Sequence, residues 1–176
     1  MEKVIVYIAA SLDGFIATMD NDVSWLFPYS SGAEDYGYAE FMNGVGTAVM
    51  GARTYEESLL HPERLLRQVK NYVISKRTLP VAPGLDLEVW HGDPAELVAR
   101  VRGESDKDIY VVGGGQIVSR FLDAGLIDEF RLFVVPVLLS QGIPLFTGLG
   151  KEIALKLAGA IPYPSGIVEI RYVPRK

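Results

Sequence analysis

The chain has 176 residues, 49% of them hydrophobic, with 17 Lys and Arg against 22 Asp and Glu and a formal net charge of −5. That length suits one domain spanning residues 1–176, and the apolar fraction excludes a disordered chain. With no cysteine and only two histidines, His61 and His91, it offers no thiolate nucleophile, no disulfide and no thiolate zinc site, and its acidic balance argues against a nucleic-acid phosphate track.

Residues 3–10 form an apolar run of strand length, rich in Val and Ile, which reads as a buried strand rather than a secretory signal. No apolar run approaches the ~20 residues of a membrane crossing, so a cytoplasmic location is expected. The connection over residues 11–30 carries Asp13-Gly14, Asp20-Asn21-Asp22 and Trp25. It is long for a compact domain, and long connections are often functional. Ser31-Gly-Ala-Glu34 has the form of a capping box and predicts a helix from that point. Tyr38, Phe41, Met42 and Val45 then share one face at spacing i, i+3, i+4, i+7. Asp35 falls on the same face, where burial would raise its pKa toward an acid–base range.

Residues 47–50 read as a short buried strand, Gly51 as a turn and Thr54-Tyr-Glu-Glu57 as a second capping box. Residues 71–75 and 85–90 are further strands on either side of a Pro- and Gly-bearing connection. Asp93-Pro94-Ala-Glu96 combines an N-cap, a proline at the first helical position and a capping glutamate. The helix it starts would bury Leu97, Val98 and Val101 and end near Gly103. Residues 108–112 are a strand leading through Gly113-Gly114-Gly115 into a helix with Ile117, Val118, Phe121 and Leu122 inward. Residues 129–139 are the longest strand candidate, with Pro136 marking an edge or a bulge. Two last strands lie around 153–160 and 167–173. Strands alternating with helices to residue 125, then strands alone, predict an α/β fold with a mixed, mainly parallel sheet and a C-terminal antiparallel hairpin. Ligands of such sheets lie at the carboxyl ends of the strands.

Two strand-to-helix turns suit phosphate: Gly51-Ala52-Arg53-Thr54 and Gly113-Gly114-Gly115. A helix N-terminus offers free amides and partial positive charge, and glycine lets a phosphate approach the backbone. Either turn alone is ordinary strand–helix geometry; together they predict a dinucleotide laid across the sheet edge. The tri-glycine run is not a Rossmann fingerprint, because Val118 stands where Gly or Ala is required. Arg53, Lys76 and Arg77 follow strands at places where an extra cofactor phosphate would need cations, and are equally readable as solvated surface charges.

Five segments in order resemble the dihydrofolate-reductase superfamily, most closely the branch that contains the riboflavin-biosynthesis reductase domain and its stand-alone relatives. They are Tyr7-Ile-Ala-Ala-Ser-Leu-Asp-Gly-Phe-Ile-Ala17, Val49-Met-Gly-Ala-Arg-Thr-Tyr-Glu56, Tyr72-Val-Ile-Ser-Lys76, Ile109-Tyr-Val-Val-Gly-Gly-Gly-Gln-Ile117, and Asp128-Glu129-Phe130 with Gly142-Ile-Pro-Leu-Phe146. The resemblance implies a three-layer fold around a sheet of about eight strands, in keeping with the mixed sheet expected above. It implies an NADPH-dependent reductase passing hydride to a small pteridine, pyrimidine or ribosylamino-type substrate. The alternatives are a true dihydrofolate reductase or a nucleotide-binding homologue without catalysis.

By the same resemblance, Ala10 and Ile16 would flank the nicotinamide, and Gly51, Arg53 and Thr54 would meet the adenosine-side phosphates. Ser75, Lys76 and Arg77 would lie near the 2′-phosphate. Gly114, Gly115, Gln116 and Ile117 would hold the pyrophosphate, at a Gly-Gly cis peptide. Asp13, Trp25, Tyr38 and Phe41 would line the substrate pocket, and Asp35 would bind or help protonate the substrate. Ala52 stands where relatives commonly carry Arg, and Gln116 where many dihydrofolate reductases carry a basic residue; these departures bear on NADP preference and on catalysis. A homodimer is implied too, with the uncharged run 132–139 as its surface, and no metal, nucleic-acid or membrane partner.

Overall fold

The computed structural model describes residues 2–30 and 34–175. Its centre is β1 (Val4–Ser11), followed by β2 (Phe15–Ala17), α1 (Phe27–Ser30), α2 (Tyr38–Gly44), β3 (Val45–Gly51) and α3 (Ala52–Leu60). Then come β4 (Lys70–Ile74), β5 (Leu87–Trp90), α4 (Pro94–Glu104), β6 (Asp108–Gly113) and α5 (Gly115–Asp123). The chain ends with β7 (Glu129–Val135), β8 (Ile143–Pro144), β9 (Leu155–Pro162) and β10 (Val168–Pro174). Eight strands form one sheet in the order β5-β4-β3-β6-β1-β7-β10-β9. The first six are mutually parallel, and β10 runs antiparallel to both β7 and β9. The mixed, mainly parallel sheet and the terminal hairpin are thus as the sequence predicts.

Alternation along β1 sorts the layers. Val4, Val6 and Ala10 point into the core beneath α4 and α5, with Leu97, Val98, Val101, Val118 and Phe121. Ile5 and Tyr7 point the other way, toward Phe41 and Met42 of α2 and Tyr55 of α3. A parallel strand buried on both faces has no polar face to offer, which is why residues 4–10 read as an unbroken apolar run. At the start of α4, Asp93 accepts from Ala95 N at 2.8 Å and Glu96 accepts from Asp93 N at 3.4 Å, the capping box expected there.

Several expectations are corrected. Residues 31–33 of the first capping box lie outside the described residues. The helix itself begins only at Tyr38, after Gly37 in the left-handed conformation at φ 76°, and Val45 opens a strand rather than closing the helix. The second capping box is absent: α3 starts at Ala52, directly off the strand end at Gly51, so Thr54 lies inside its first turn. Strand β7 stops at Val135, since Pro136 has no amide to continue the ladder. It is an interior strand between β1 and β10, so residues 132–135 are uncharged because neighbours cover them, while Pro136 and Leu138 beyond it are exposed. The long connection after β1 is structured, holding β2, a 3-10 turn at Ser24–Leu26 and α1. Strand β2 pairs with β8 in a separate antiparallel sheet that joins this connection to the segment after β7.

Candidate active site

The parallel strands deliver their carboxyl ends to one edge of the sheet, where a cleft of about 1240 Å³ opens. Strands β3 and β6 are neighbours up to Met50 opposite Gly113, so the turns that follow them sit side by side. A Cβ built on Gly51 would stand 3.0 Å from Ile117 Cγ1. One built on Gly114 would stand 3.5 Å from Thr54 Oγ1 and 3.8 Å from Ile16 Cδ1. The two glycine turns therefore face each other across a single groove. The Gly113–Gly114 bond is cis. Gly115 packs so closely on the Pro144 carbonyl that no side chain fits, which seats β8 against the first turn of α5.

Glycine caps both α3 and α5, so no cap side chain takes up their first-turn amides. Those donors, with the positive ends of two helix dipoles, give this part of the groove a partial positive charge. Arg53 and Lys76 line it, both exposed and without an ion-pair partner among the described residues. Arg77 is different: its guanidinium forks the Glu56 carboxylate at 3.0 and 3.1 Å. Ser75 Oγ accepts from Arg77 N at 2.9 Å, and His91 Nδ1 lies 2.7 Å from the Ser75 carbonyl. A carbonyl only accepts, so Nδ1 of His91 carries the proton there.

The other end of the cleft is aromatic, walled by Tyr7, Tyr29, Tyr36, Tyr38, Tyr110 and Phe133. Tyr7 stacks on Phe41 at 4.6 Å and meets Phe133 at 4.5 Å. Burial pushes the phenols of Tyr7, Tyr38 and Tyr110 above their ordinary pKa. Asp35 stands at the rim of this end. It is exposed, precedes α2 instead of riding on its apolar face, and accepts from Gly37 N at 3.0 Å and Ala39 N at 3.1 Å. The Gly37 amide first, then that of Ala39, hold its carboxyl below the ordinary carboxylate value. The expected upward shift is therefore reversed, because the helix starts later than the sequence suggests and turns Asp35 into an acceptor for its first amides.

A model of the RibD C-terminal domain matches residues 2–168. The chain belongs to the RibD C-terminal domain family. Its sequence is 34% identical over 172 residues to the uncharacterised protein YwjB of Bacillus subtilis, covering 97% of each chain. Among solved structures it is similar to a Shewanella sp. PV-4 protein provisionally assigned to riboflavin biosynthesis, with a TM-score of 0.89, 26% identity and 99% of each chain covered. It also shares the fold of a Thermotoga maritima diaminohydroxyphosphoribosylaminopyrimidine deaminase/5-amino-6-(5-phosphoribosylamino)uracil reductase, at a TM-score of 0.72 and 14% identity; 99% of this chain covers 57% of that one. The architecture is thus the dihydrofolate-reductase-like fold that the five segments implied.

Within this RibD C-terminal domain, Gly51, Arg53 and Thr54 line the cleft from one turn, and Gly114, Gly115, Gln116 and Ile117 from the other. Ile16, Ser75, Lys76 and Arg77 line it as well, and so do Asp35 and Tyr38. Four expected residues are placed elsewhere. Ala10 is buried on the core side of β1. Asp13 accepts from Ser11 Oγ at 2.6 Å, Ser140 N at 2.8 Å and Leu139 N at 3.2 Å, tying the connection after β1 to the one after β7. Phe41 is buried behind Tyr7. Trp25 packs beside Phe133, Val135 and Ile167, its indole nitrogen buried and without a partner among the described residues.

Sequence reasoning missed Tyr7, Tyr36, Tyr110, Phe133, His91 and Arg120, all of which line the cleft. The available signal was a tyrosine in the middle of each apolar strand, at positions 7 and 110. Period-two alternation groups such a residue with its own face but does not say which face meets a cleft.

Proposed function

We propose that this RibD C-terminal domain is an NADPH-dependent reductase acting on a small pteridine, pyrimidine or ribosylamino-type ring. The observation that carries the reading is the convergence of the Gly51 and Gly113–Gly115 turns on one groove at the carboxyl edge of the sheet. The residues fit a dinucleotide in two respects. Gly114 leaves free the space between Thr54 and Ile16 that any side chain would fill, and two glycine-capped helices aim free amides at the same groove. Arg53, Thr54 and the first-turn amides of α3 and α5 would hold phosphates. Lys76 would hold the extra phosphate beside Ser75, because Arg77 is already engaged by Glu56 and the Ser75 hydroxyl donates to the Arg77 carbonyl at 3.1 Å.

The nicotinamide supplies the hydride; the protein aligns and dries the reaction. Ile16 and the aromatic wall exclude water and fix the ring plane of the substrate. Asp35, being ionised, accepts hydrogen bonds from the substrate rather than giving up a proton of its own, so the proton the product needs enters from solvent at the exposed rim where Asp35 stands, outside the dried wall. We also propose a homodimer, with the open sheet edge at β9 as the contact; Leu157 and Ile161 are exposed there at 55% and 40%.

Titration with NADPH, followed by addition of pterins, folates or ribosylaminopyrimidines, tests the reading. Binding followed by oxidation of the nucleotide is the expected result, and Asp35→Asn should lose most turnover while NADPH binding persists. Binding without oxidation by any of these rings would leave a nucleotide-binding homologue. A melting temperature that saturating NADPH does not move would overturn the assignment.

A further inference from the structure

Glu169 is a buried carboxylate that the reductase reading leaves without a task. It stands on β10, 1% exposed, opposite Phe133 of β7 and Ile161 of β9. A carboxylate that deep in a sheet is destabilising unless it is paired and fully hydrogen-bonded. Arg171, two residues on and so on the same face, donates to its two oxygens at 2.6 and 3.1 Å. Tyr163 donates to its Oε2 at 3.2 Å. Apolar side chains of like volume would stabilise the sheet as well or better, so stability alone does not account for the charge. Glu129 on β7 makes a similar pair with Arg131 at 2.8 Å, but its other partner is Lys3 at 2.9 Å and it reaches no part of the cleft.

The Tyr163 contact leads to the cleft. Tyr163 sits in the turn between β9 and β10, where its amide donates to the Ile167 carbonyl at 2.8 Å and its carbonyl accepts from Gly166 N at 2.9 Å. Its hydroxyl shares one proton between Glu169 Oε2 and the Tyr36 carbonyl at 3.5 Å, and its ring meets the Tyr36 ring edge-on at 4.9 Å. Tyr36 lines the cleft at φ 55°, a left-handed conformation that a bulky residue keeps only where its surroundings impose it. Tyr7 donates to the same carbonyl at 2.9 Å, and the Tyr36 hydroxyl donates to the Tyr29 carbonyl at 2.6 Å. The residue so clamped directly follows Asp35, whose carboxylate reaches across it to the amides of Gly37 and Ala39.

We propose that Glu169 is a positioning residue: through Tyr163 it holds the left-handed turn at Tyr36, and with it the Asp35 carboxylate at the rim of the cleft. The proposal rests on the reductase reading for what Asp35 does to a substrate, and on the Glu169–Tyr163–Tyr36 contacts alone for where Asp35 stands.

Titration of the Asp35 carboxyl by carbon NMR, on the full chain without ligand, reads the turn directly. The Gly37 amide first, then that of Ala39, keep its midpoint below the ordinary 3.8 in the parent. Tyr163→Phe removes one half-buried hydroxyl and keeps the ring. It should move the Asp35 midpoint up toward the ordinary value and speed exchange of the Gly37 and Ala39 amides about tenfold, the scale of one hydrogen bond to a charged group. Glu169→Ala should do the same, and Glu169→Gln, which keeps an acceptor for Tyr163, should fall between. Should the Glu169 variants fail to fold, Tyr163→Phe alone decides. The Asp22 carboxyl, held low by Ser24 in another segment, should titrate as in the parent. An Asp35 midpoint that Tyr163→Phe leaves in place, or one that moves together with that of Asp22, would overturn the proposal. So would a downward shift in Glu169→Gln, the sign expected if Glu169 acted on Asp35 only as a nearby negative charge. Failure of every pterin, folate and ribosylaminopyrimidine to oxidise NADPH would remove the reductase reading, while an upward Asp35 shift would leave this one standing.

Discussion

At the residue scale, Asp35 and Gly114 show how little of a side chain's role lies in its chemical type. The Asp35 carboxylate is held by two backbone amides, so the folded protein binds its proton more weakly than the unfolded chain does. The unfolded state then carries more protons in acid. The contribution is complete above the ordinary value of 3.8 and fades as pH falls through the lower folded value. Urea unfolding followed from roughly pH 5 to pH 2 should show a shallower loss of stability in Asp35→Asn than in the parent. Gly114 poses the opposite case. Its φ of −69° suits any residue, and a Cβ would meet only ordinary contacts at Thr54 and Ile16. Gly114→Ala should therefore melt near the parent temperature yet bind NADPH about tenfold or more weakly, measured by titration, because the methyl enters the groove.

At the element scale, most of the framework was legible before any coordinates. Asp93, Pro94 and Glu96 announced α4 through chemistry confined to four consecutive residues, and α5 followed from the spacing of Ile117, Val118, Phe121 and Leu122. Asp93→Ala should lower stability by about 1 kcal/mol, and Phe121→Ala by about 3–5 kcal/mol, in denaturant titrations. What failed were signals whose meaning depends on distant chain. Thr54 and Glu57 have the right spacing for a cap, but β3 runs straight into α3 at Gly51 and leaves Thr54 within the helix. The rim position of Asp35 follows from Gly37 in a left-handed turn, which a helical periodicity count passes over. The aromatic end was the least legible part of the candidate site. Tyr7, Tyr36 and Tyr110 come from three separate segments, and their convergence is a product of the sheet order.

At the scale of the whole molecule, the buried tyrosines make stability sensitive to alkali. The Tyr163 phenol is pushed up to about 12 by burial and by Glu169, and those of Tyr7 and Tyr110 rise as well. Folded pKa values above the unfolded value of 10 mean that stability is complete below pH 10 and is lost as pH climbs through the folded values. The share of the tyrosinate absorbance that Tyr7 and Tyr110 contribute should appear only together with loss of the circular-dichroism signal of the fold, and Tyr7→Phe should reduce that share. Assembly through β9 is a second expectation at this scale. Sedimentation at micromolar concentration should show a dimer, and Leu157→Lys, a charge on an open edge strand, should return a monomer.

The presence of exposed cations and tyrosine faces in one cleft makes ionic strength a selective lever. The attraction by which Arg53 and Lys76 would hold a phosphate is screened as the Debye length contracts from about 30 Å at 0.01 M salt to about 3 Å at 1 M, whereas stacking against tyrosine faces hardly responds. Brine should therefore loosen one half of a bound pair of ligands while its neighbour stays seated, and the order in which the two let go would tell which of them anchors the complex.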